Sequence, residues 1–429
     1  MNGIKHAVLD PKFVSAAKFD QEPDWLSEMR NQAFEKSQDL PLPVFAKVNY
    51  SSWPLLEFST KKQADLEIPK SVKDQLADYT FVNLGNRNIK NELANFLSQG
   101  VILCSMADAI KNYGDLVQKY LYQFAIDPNE DRLTAINLAL MNNGTFLYVP
   151  DNVQLKDPIK LLTIQDSRQE EMFIDHTLIV AGKNSRFNVF QRTETIGDIA
   201  NPAHLTAEII ADQDSHVQYN SLDCLGPKTY AYFNRKGHLK EDARIDWAMG
   251  IFNNGSTIAD FDSDLYGVGS HTEMQTVAIS TGRQTQGLDT QVTNYGRHTE
   301  GNILQIGVLL DSSTLIFNGI GKIIHGAHGS KAQQENRILM LSPKAHGDAN
   351  PILLIDENDV IAGHAASVGQ INKKQLYYLM SRGLSKEVAQ RLVVRGFLGV
   401  VLSNVPIPAV REQMVAMIER KLQNDPESK

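Results

Sequence analysis

Three kinds of residue in this sequence, histidines, aspartates and cysteines, could carry chemistry, and each also has a simpler structural explanation. The stretch AGHAASVGQ (residues 362–370) places His364 among residues with almost no side chain, so another backbone could come close to its imidazole. The run HGAHG carries His325 and His328 three residues apart, a spacing at which two imidazoles can share a metal ion. Because no third ligand follows at a suitable spacing, partly exposed loop histidines are the simpler interpretation.

A row of aspartates is the second candidate, and the cysteines are the third. Asp260, Asp262 and Asp264 alternate in ADFDSDL, so on a strand they point to one face. Such a row can bind calcium or supply the carboxylates of a glycosidase, although a solvated strand face is the simpler interpretation. Cys104 and Cys224 are too few for a disulfide framework or for a four-thiolate iron–sulfur cluster held by this chain alone.

The motifs of common enzyme classes are missing from the sequence. GIGKIIHG has isoleucine where a P-loop needs Ser or Thr after Lys322, so no nucleotide hydrolysis is expected. Neither GxSxG nor HExxH nor CxxC occurs. The formal net charge of −8 gives no general attraction for nucleic acid, and no apolar run approaches the about 18 residues of a membrane span. The start of the sequence lacks the apolar segment of a signal peptide, which predicts a cytoplasmic protein with free thiols.

The elements that must position these residues change in character along the chain. Residues 1–144 have a mixed helix and loop pattern, whereas short alternating runs such as HTLIVAG and RFNVFQ fill residues 145–360. No long helical pattern interrupts them, so a sandwich or a β-helix remains. A small residue two positions before an apolar one recurs at steps of 30, 28 and 13 residues, which suits a stacked β-structure with insertions. These small residues are Ser185, Ser215, Ala243 and Ser256.

Helical periodicity returns in the C-terminal region, residues 361–429. Asn372 is placed to cap one helix, with Gln375 as the return partner of a capping box. Gly396 is expected to end a second helix, and a third amphipathic pattern follows it. The sequence therefore predicts a β core between two regions that contain helices.

Several stretches of the chain resemble one known family. NPILLIDENDVIAGHAASVGQ, followed by KKQLYYLMSRG and RGFLGVVL, resembles the SufB/SufD family of iron–sulfur cluster assembly proteins. The family pattern P-x-L-x-I-x-x-x-D-V-x-x-x-H-x-A-x-x-G is matched from Pro351 to Gly369. Near the start, EPDWLSEMR, LPLP and ALMNNGTFLYVP are also similar to family members. The resemblance covers essentially the whole chain and is weakest in residues 50–130.

The resemblance implies a mainly β fold and a branch of the family. The family fold is a right-handed parallel β-helix between N-terminal and C-terminal helical regions, here 145–360 between 1–144 and 361–429. This fold also decides between the two β architectures that the strand pattern leaves open. SufB-type chains carry a cysteine just after the NR of the segment ENRILMLSPKAHGDANPILLI, and this chain has none there. The missing cysteine favours a SufD-type member.

The resemblance also implies a function and its residues. A SufD-type chain is a non-catalytic subunit that pairs with SufB and docks the ATPase SufC, so that a transient iron–sulfur cluster is built at the SufB interface. The motif histidine lies at that interface, which makes His364 the candidate iron or cluster ligand, and no cofactor is expected to stay on the chain alone. The residues expected to bind partners are Gln375, Tyr378, Arg382, Gly383 and Phe397.

Two other functions compete with this one. The first is a SufB-like cluster scaffold, against which the missing cysteine argues. The second is a carbohydrate-active β-helix enzyme that uses the three aspartates, against which the missing signal peptide argues. The sequence leaves open whether the chain also forms homodimers, whether the complex binds reduced flavin, and which sulfur donor serves it.

Overall fold

Two long sheets dominate the computed structural model, which describes residues 9–61, 64–92, 99–404 and 408–423. Residues 1–8, on which the expectation of no signal peptide partly rests, lie outside the described residues. The helices are α1 (Lys12–Ala17), α2 (Asp24–Ser37), α3 (Lys70–Lys73), α4 (Met106–Asn112), α5 (Gly114–Tyr120), α6 (Arg132–Leu140), α7 (Lys373–Ser381), α8 (Lys386–Asn404) and α9 (Pro408–Gln423), with a short 3-10 helix at Leu76–Asp78. The strands are β1 (Phe81–Leu84), β2 (Arg87–Asn91), β3 (Ile102–Ser105), β4 (Asn143–Val149), β5 (Ile159–Ser167), β6 (Phe173–Ala181), β7 (Arg186–Gly197), β8 (Ala203–Ala211), β9 (His216–Cys224), β10 (Ala231–Leu239), β11 (Arg244–Ile251), β12 (Thr257–Leu265), β13 (His271–Ser280), β14 (Thr285–Asn294), β15 (Glu300–Leu309), β16 (Thr314–Ile323), β17 (Lys331–Met340), β18 (His346–Ile355) and β19 (Ile361–Gln370).

From β4 to β19 the chain alternates between the two sheets. The ten-stranded sheet has the order β19-β17-β15-β13-β11-β9-β7-β5-β1-β2, and the nine-stranded sheet has the order β18-β16-β14-β12-β10-β8-β6-β4-β3. Each strand from β4 to β17 pairs in parallel with the strand two places further along the chain, which makes a β-solenoid of about eight turns. The predicted mainly β fold, a parallel β-helix core flanked by helical regions, is confirmed.

Seven corners that lead from the nine-stranded to the ten-stranded sheet, from β4–β5 to β16–β17, have a residue in the left-handed region of φ whose N–H bonds to the next turn. Asn, Asp and Gly adopt this conformation at the lowest cost. The backbone N–H of such a residue donates to a carbonyl of the next turn, as Asp214 does to Glu241 at 3.0 Å. The corner residues are Asn152, Asn184, Asp214, Asp242, Gly269, His298 and Gly329.

One charged pair is buried inside the solenoid. The Arg235 guanidinium donates to both carboxylate oxygens of Asp223, at 2.7 and 2.8 Å, and the two side chains are 3% and 0% exposed. Thr193 donates a further hydrogen bond to Asp223 at 2.7 Å. These bonds offset the cost of removing both charges from water.

The two ends of the solenoid differ. At the first end, β3 pairs antiparallel with β4 and β2 with β1, and Ile136 of α6 packs with Phe146 and Leu178 over the first turn. At the last end, β18 and β19 each have one strand neighbour in the described part of the chain. We call these two strands the open rung. Because β19 is its second strand, the solenoid extends beyond residue 360, where the sequence placed its end.

The C-terminal helices pack on the outer face of the ten-stranded sheet. Leu398 of α8 and Ile418 of α9 are buried there against Val277 and Ile306. Gly396, which was expected to end α8, lies inside it. That expectation is wrong, because the packing that follows Gly396 outweighs the about 1 kcal/mol that a helical glycine costs. No helix among the described residues is long and apolar enough to span a membrane.

The α7 helix follows the last strand closely. Its N-cap is Asn372, whose side chain accepts hydrogen bonds from the backbone N–H groups of Lys374 and Gln375 at 2.9 and 3.4 Å. This cap confirms the predicted helix start. Only two residues separate the end of β19 from the start of α7, so the helix is tied closely to the open rung.

The buried charged pair leads to a stability prediction. Asp223→Ala leaves the guanidinium of Arg235 buried without its carboxylate, so the free energy of unfolding should fall by about 3–5 kcal/mol in urea denaturation. Glu335→Ala is the matched control, because Glu335 pairs with Arg337 at 2.5 Å on the surface and should cost at most about 1 kcal/mol. Equal losses in the two variants would contradict this account of the interior.

Candidate functional site

His364 occupies an inward-facing position of the solenoid, at its last strand. His364 pairs with Gln334 on the neighbouring strand, and the same register continues strand by strand along the sheet. The residues of this row are all buried, and they are Tyr219, Trp247, Met274, Ile303 and Gln334. His364 continues this row but is exposed, because no described strand follows β19. The imidazole therefore lies at the opening of the solenoid interior, which we call the mouth.

The residues around the mouth are small. Ala362 and Ala366 flank His364 at the neighbouring inward positions of β19, and Gly347 and Ala349 occupy inward positions of β18. No described residue forms a hydrogen bond or an ion pair with His364. Both ring nitrogens are therefore available within the described structure, and a neutral imidazole is a good ligand for iron.

The open rung surrounds this histidine with unpaired backbone and exposed apolar side chains. Ile361 is 60% exposed and Leu354 is 49% exposed. Strand edges of this kind offer free N–H and C=O groups that template pairing with another chain. Lys47, from the N-terminal segment, donates to Asp348 and Asn350 of β18 at 2.7 and 2.6 Å. The N-terminal region thus reaches along the outside of the nine-stranded sheet to the open rung.

A groove between α7 and α8 brings together three of the five residues expected to bind partners. It has a volume of about 650 Å³ and is lined by Gln375, Tyr378 and Phe397 together with Lys374, Leu379, Leu392, Val393 and Gly396. The other two expected residues lie nearby. The Arg382 guanidinium is 5.1 Å from the centre of the Tyr378 ring, and Gly383, with φ +92°, forms the turn that leads to α8.

The structure brings a carboxylate to the two histidines of HGAHG. Glu357 lies 3.2 Å from Nδ1 of His328 and 3.9 Å from Nδ1 of His325. It also accepts backbone hydrogen bonds from Gly326 and Asn358 at 2.9 and 2.8 Å, and these bonds hold the pKa of Glu357 below its usual value. Both imidazoles are largely exposed. The buried carboxylate of Glu357 therefore holds the loop that carries the two histidines.

The three aspartates point outward from β12, and a lysine already neutralises two of them. Lys236 Nζ lies 3.0 Å from Asp262 and 3.5 Å from Asp260, and 2.7 Å from Glu130. The carboxylate oxygens of those three acidic residues lie within 4.8 Å of one another, but the ammonium group of Lys236 is their cation. Asp264 stands apart from this cluster, and burial raises its pKa to about 7.

Neither cysteine is placed to act as a thiolate. Cys104 is buried and Cys224 is partly buried, and burial raises the pKa of each thiol to about 12. A thiol with such a pKa is a poor nucleophile and a poor iron ligand near neutral pH. Cys104 lies on β3 and Cys224 ends β9, so neither thiol lies on the open rung.

Sequence analysis overlooked two polar residues behind His364. Gln334 and Asn336 occupy inward positions of β17, one strand before His364, and both are buried. The available signal was their alternation in AQQENRILM, since polar residues two apart on a strand with an apolar interior face point toward that interior. Unless it is known which residues of the strand point inward, this alternation looks the same as that of a strand face exposed to solvent.

Comparison with known protein families agrees with this architecture. The family domain described as "SUF system FeS cluster assembly, SufBD core domain" matches residues 163–397, and the "SufBD protein N-terminal region" matches residues 71–161. The chain belongs to the SufB/SufD family. The core match includes the solenoid from β6 to the open rung and extends through the α7–α8 groove.

Individual relatives refine this membership of the SufB/SufD family. "Iron-sulfur cluster assembly protein SufD" of Bacillus subtilis (strain 168) is 40% identical over 98% of this chain and 99% of its own length. SufBD family proteins of Pyrococcus horikoshii and Staphylococcus epidermidis are 26% and 23% identical, over 95% and 91% of this chain and 95% and 88% of their own lengths. The chain is thus similar to SufD over its whole length, which confirms the SufD-type identification.

The exposure of His364 predicts how its removal affects the fold. His364→Ala should change the free energy of unfolding of the isolated chain by no more than about 0.5 kcal/mol, because no described hydrogen bond is lost. Trp247→Ala, at a buried position of the same row, should cost about 3–5 kcal/mol. Urea denaturation of both variants measures this, and a large loss in the histidine variant would show that the imidazole supports the fold.

Proposed function

We propose that this SufD-type chain is a non-catalytic subunit of an iron–sulfur cluster assembly complex and pairs with SufB through its open rung. The observation that carries the proposal is the open rung itself, where two edge strands combine unpaired backbone with exposed apolar side chains. Such edges are satisfied when a strand of another chain continues the sheet. A SufB chain of the same family fold can present a matching rung, so that both sheets continue across the contact.

His364 would serve the cluster at this contact. Its imidazole faces the partner from the mouth, and one histidine among thiolates is an established ligand set for iron–sulfur clusters. This chain has no thiol suited to hold iron, so SufB would supply the remaining ligands. The cluster is then cargo that neither chain holds alone, which agrees with the expectation that no cofactor stays on this chain.

The groove between α7 and α8 would dock the ATPase SufC. Its lining is mainly apolar with an exposed aromatic ring at Tyr378, which suits a protein partner. The opposite face of α8 is packed on the ten-stranded sheet, and α7 begins three residues after β19. Movement of a docked ATPase would therefore reach the open rung through a short, packed connection.

Co-purification with SufB and SufC tests both contacts. His364→Ala should leave all three subunits in the complex, because one side chain is a small part of a large interface. The iron and acid-labile sulfide per complex should fall about tenfold or more, as losing a metal ligand requires. Normal iron and sulfide in this variant would refute the role of His364, and homodimers in place of a complex with SufB would refute the pairing.

The second arm of the same experiment concerns the groove. Leu392→Glu places a charge in the lining and should release SufC while SufB stays bound. Lys386→Glu is the control, since it makes a larger charge change on the same helix outside the groove lining. Retention of SufC by the Leu392 variant, or its loss from both variants, would contradict docking in the groove.

A further inference from the structure

The interior of the solenoid carries unpaired polar atoms in the turns that lead to the mouth. Thr276, Gln305 and Asn336 are register neighbours on β13, β15 and β17, and all three are fully buried. Each has at least one side-chain atom without a hydrogen-bond partner among the described residues, and Asn336 has two, Oδ1 and Nδ2. Buried polar atoms in this state cost stability, so their presence calls for a reason.

A second carboxamide converges on Asn336. Gln334 donates from Nε2 to the backbone oxygen of Ile352 at 2.7 Å, which fixes its orientation and leaves Oε1 without a described partner. A Cβ atom at Gly319 would lie 2.6 Å from Gln334 Oε1 and 3.0 Å from Asn336 Nδ2. The two carboxamides therefore face one small space, which is open because residue 319 has no side chain.

This small space lies directly behind the histidine at the mouth. Gln334 is the register partner of His364, one strand spacing of about 4.8 Å away. Asn336 occupies the next inward position and pairs with Ala366, whose methyl group leaves the approach free. A histidine that ligates a metal with one ring nitrogen generally donates from the other nitrogen to an acceptor in the protein. Within the described residues His364 has no such acceptor, and the unpaired amide oxygens are the polar groups adjacent to it.

We propose that Gln334 and Asn336 are positioning residues that accept the ring N–H of His364, directly or through one water molecule held over Gly319. They thereby fix which ring nitrogen faces the partner chain. The unpaired atoms at Gly319 suit a neutral ligand that donates a hydrogen bond, because they comprise the amide oxygens of Gln334 and Asn336 but only one NH2 group, that of Asn336. This inference rests on the proposed role of His364 as a ligand and adds the means by which the ring is oriented.

The tautomer of His364 provides the test. The full chain is labelled with 15N-histidine, and the signals of His364 are assigned by their loss in His364→Ala. Spectra are recorded well above the usual titration range of histidine, where the neutral ring shows one pyrrole-like and one pyridine-like nitrogen if a single tautomer is held. The native chain should show this separated pair, whereas Gln334→Leu and Asn336→Leu should move the two shifts toward averaged values.

Two further variants sharpen this test. Gly319→Ala fills the space between the carboxamides and should average the His364 shifts as the amide variants do. Gln286→Leu is the matched control, because Gln286 is also a buried glutamine with an unpaired Oε1 but lies on β14, away from the mouth. In Gln286→Leu, the 15N chemical shifts of His364 should equal those of the native chain. Unchanged separated shifts in both Gln334→Leu and Asn336→Leu would overturn the proposal.

Stability and cluster content separate this inference from the proposed function. Asn336→Leu removes two unpaired buried atoms, so its denaturant midpoint should stay level or rise, while the iron content of the assembled complex falls about tenfold. A fall in both quantities would show that Asn336 supports the fold instead. If the tautomer is fixed but His364→Ala complexes carry normal iron, the proposed function fails and the positioning of the ring stands.

Discussion

Each turn of the solenoid provides the backbone hydrogen-bond partners of the next turn, and the rest of the structure depends on this requirement. A parallel stack has two ends at which the requirement cannot be met from within. The first end is covered by the antiparallel strands β2 and β3 and by α6. At the other end the open rung has no such cover in the described part of the chain. This asymmetry, more than any single residue, leaves unpaired strand edges at one end of the stack.

The same constraint explains why one histidine of the inward row is exposed. His364 has the inward register of Trp247, and a further turn beyond β19 would bury it as that tryptophan is buried. Its exposure comes from being last in the row. The small residues beside His364 and the amide groups behind it therefore lie at the mouth. The short link from β19 to α7 connects the mouth to the groove between α7 and α8.

Sequence reasoning identified the β core, the flanking helical regions and the family, but it could not define the ends of the stack. The repeat steps of 30 and 28 residues correspond to corners, where Ser185, Ser215 and Ala243 directly follow left-handed residues. The step of 13 arises because Ser256 lies at the opposite corner, before β12. In such a stack a residue is buried by partners about 30 residues away in sequence, so the exposure of His364 cannot be predicted from a local pattern. The continuation of α8 through Gly396 likewise depends on its packing against the sheet, which the local pattern does not contain.

Hydrogen–deuterium exchange tests whether the open rung is the surface on which a SufB chain continues the two sheets. Exchange is compared between the isolated chain and its complex with SufB, in the absence of SufC. Pairing through the open rung should give strong new protection of backbone amides in β18 and β19, with β3 and β4 at the covered end unchanged. Exchange in β18 and β19 that stays as fast in the complex as in the isolated chain, with protection elsewhere, would contradict it.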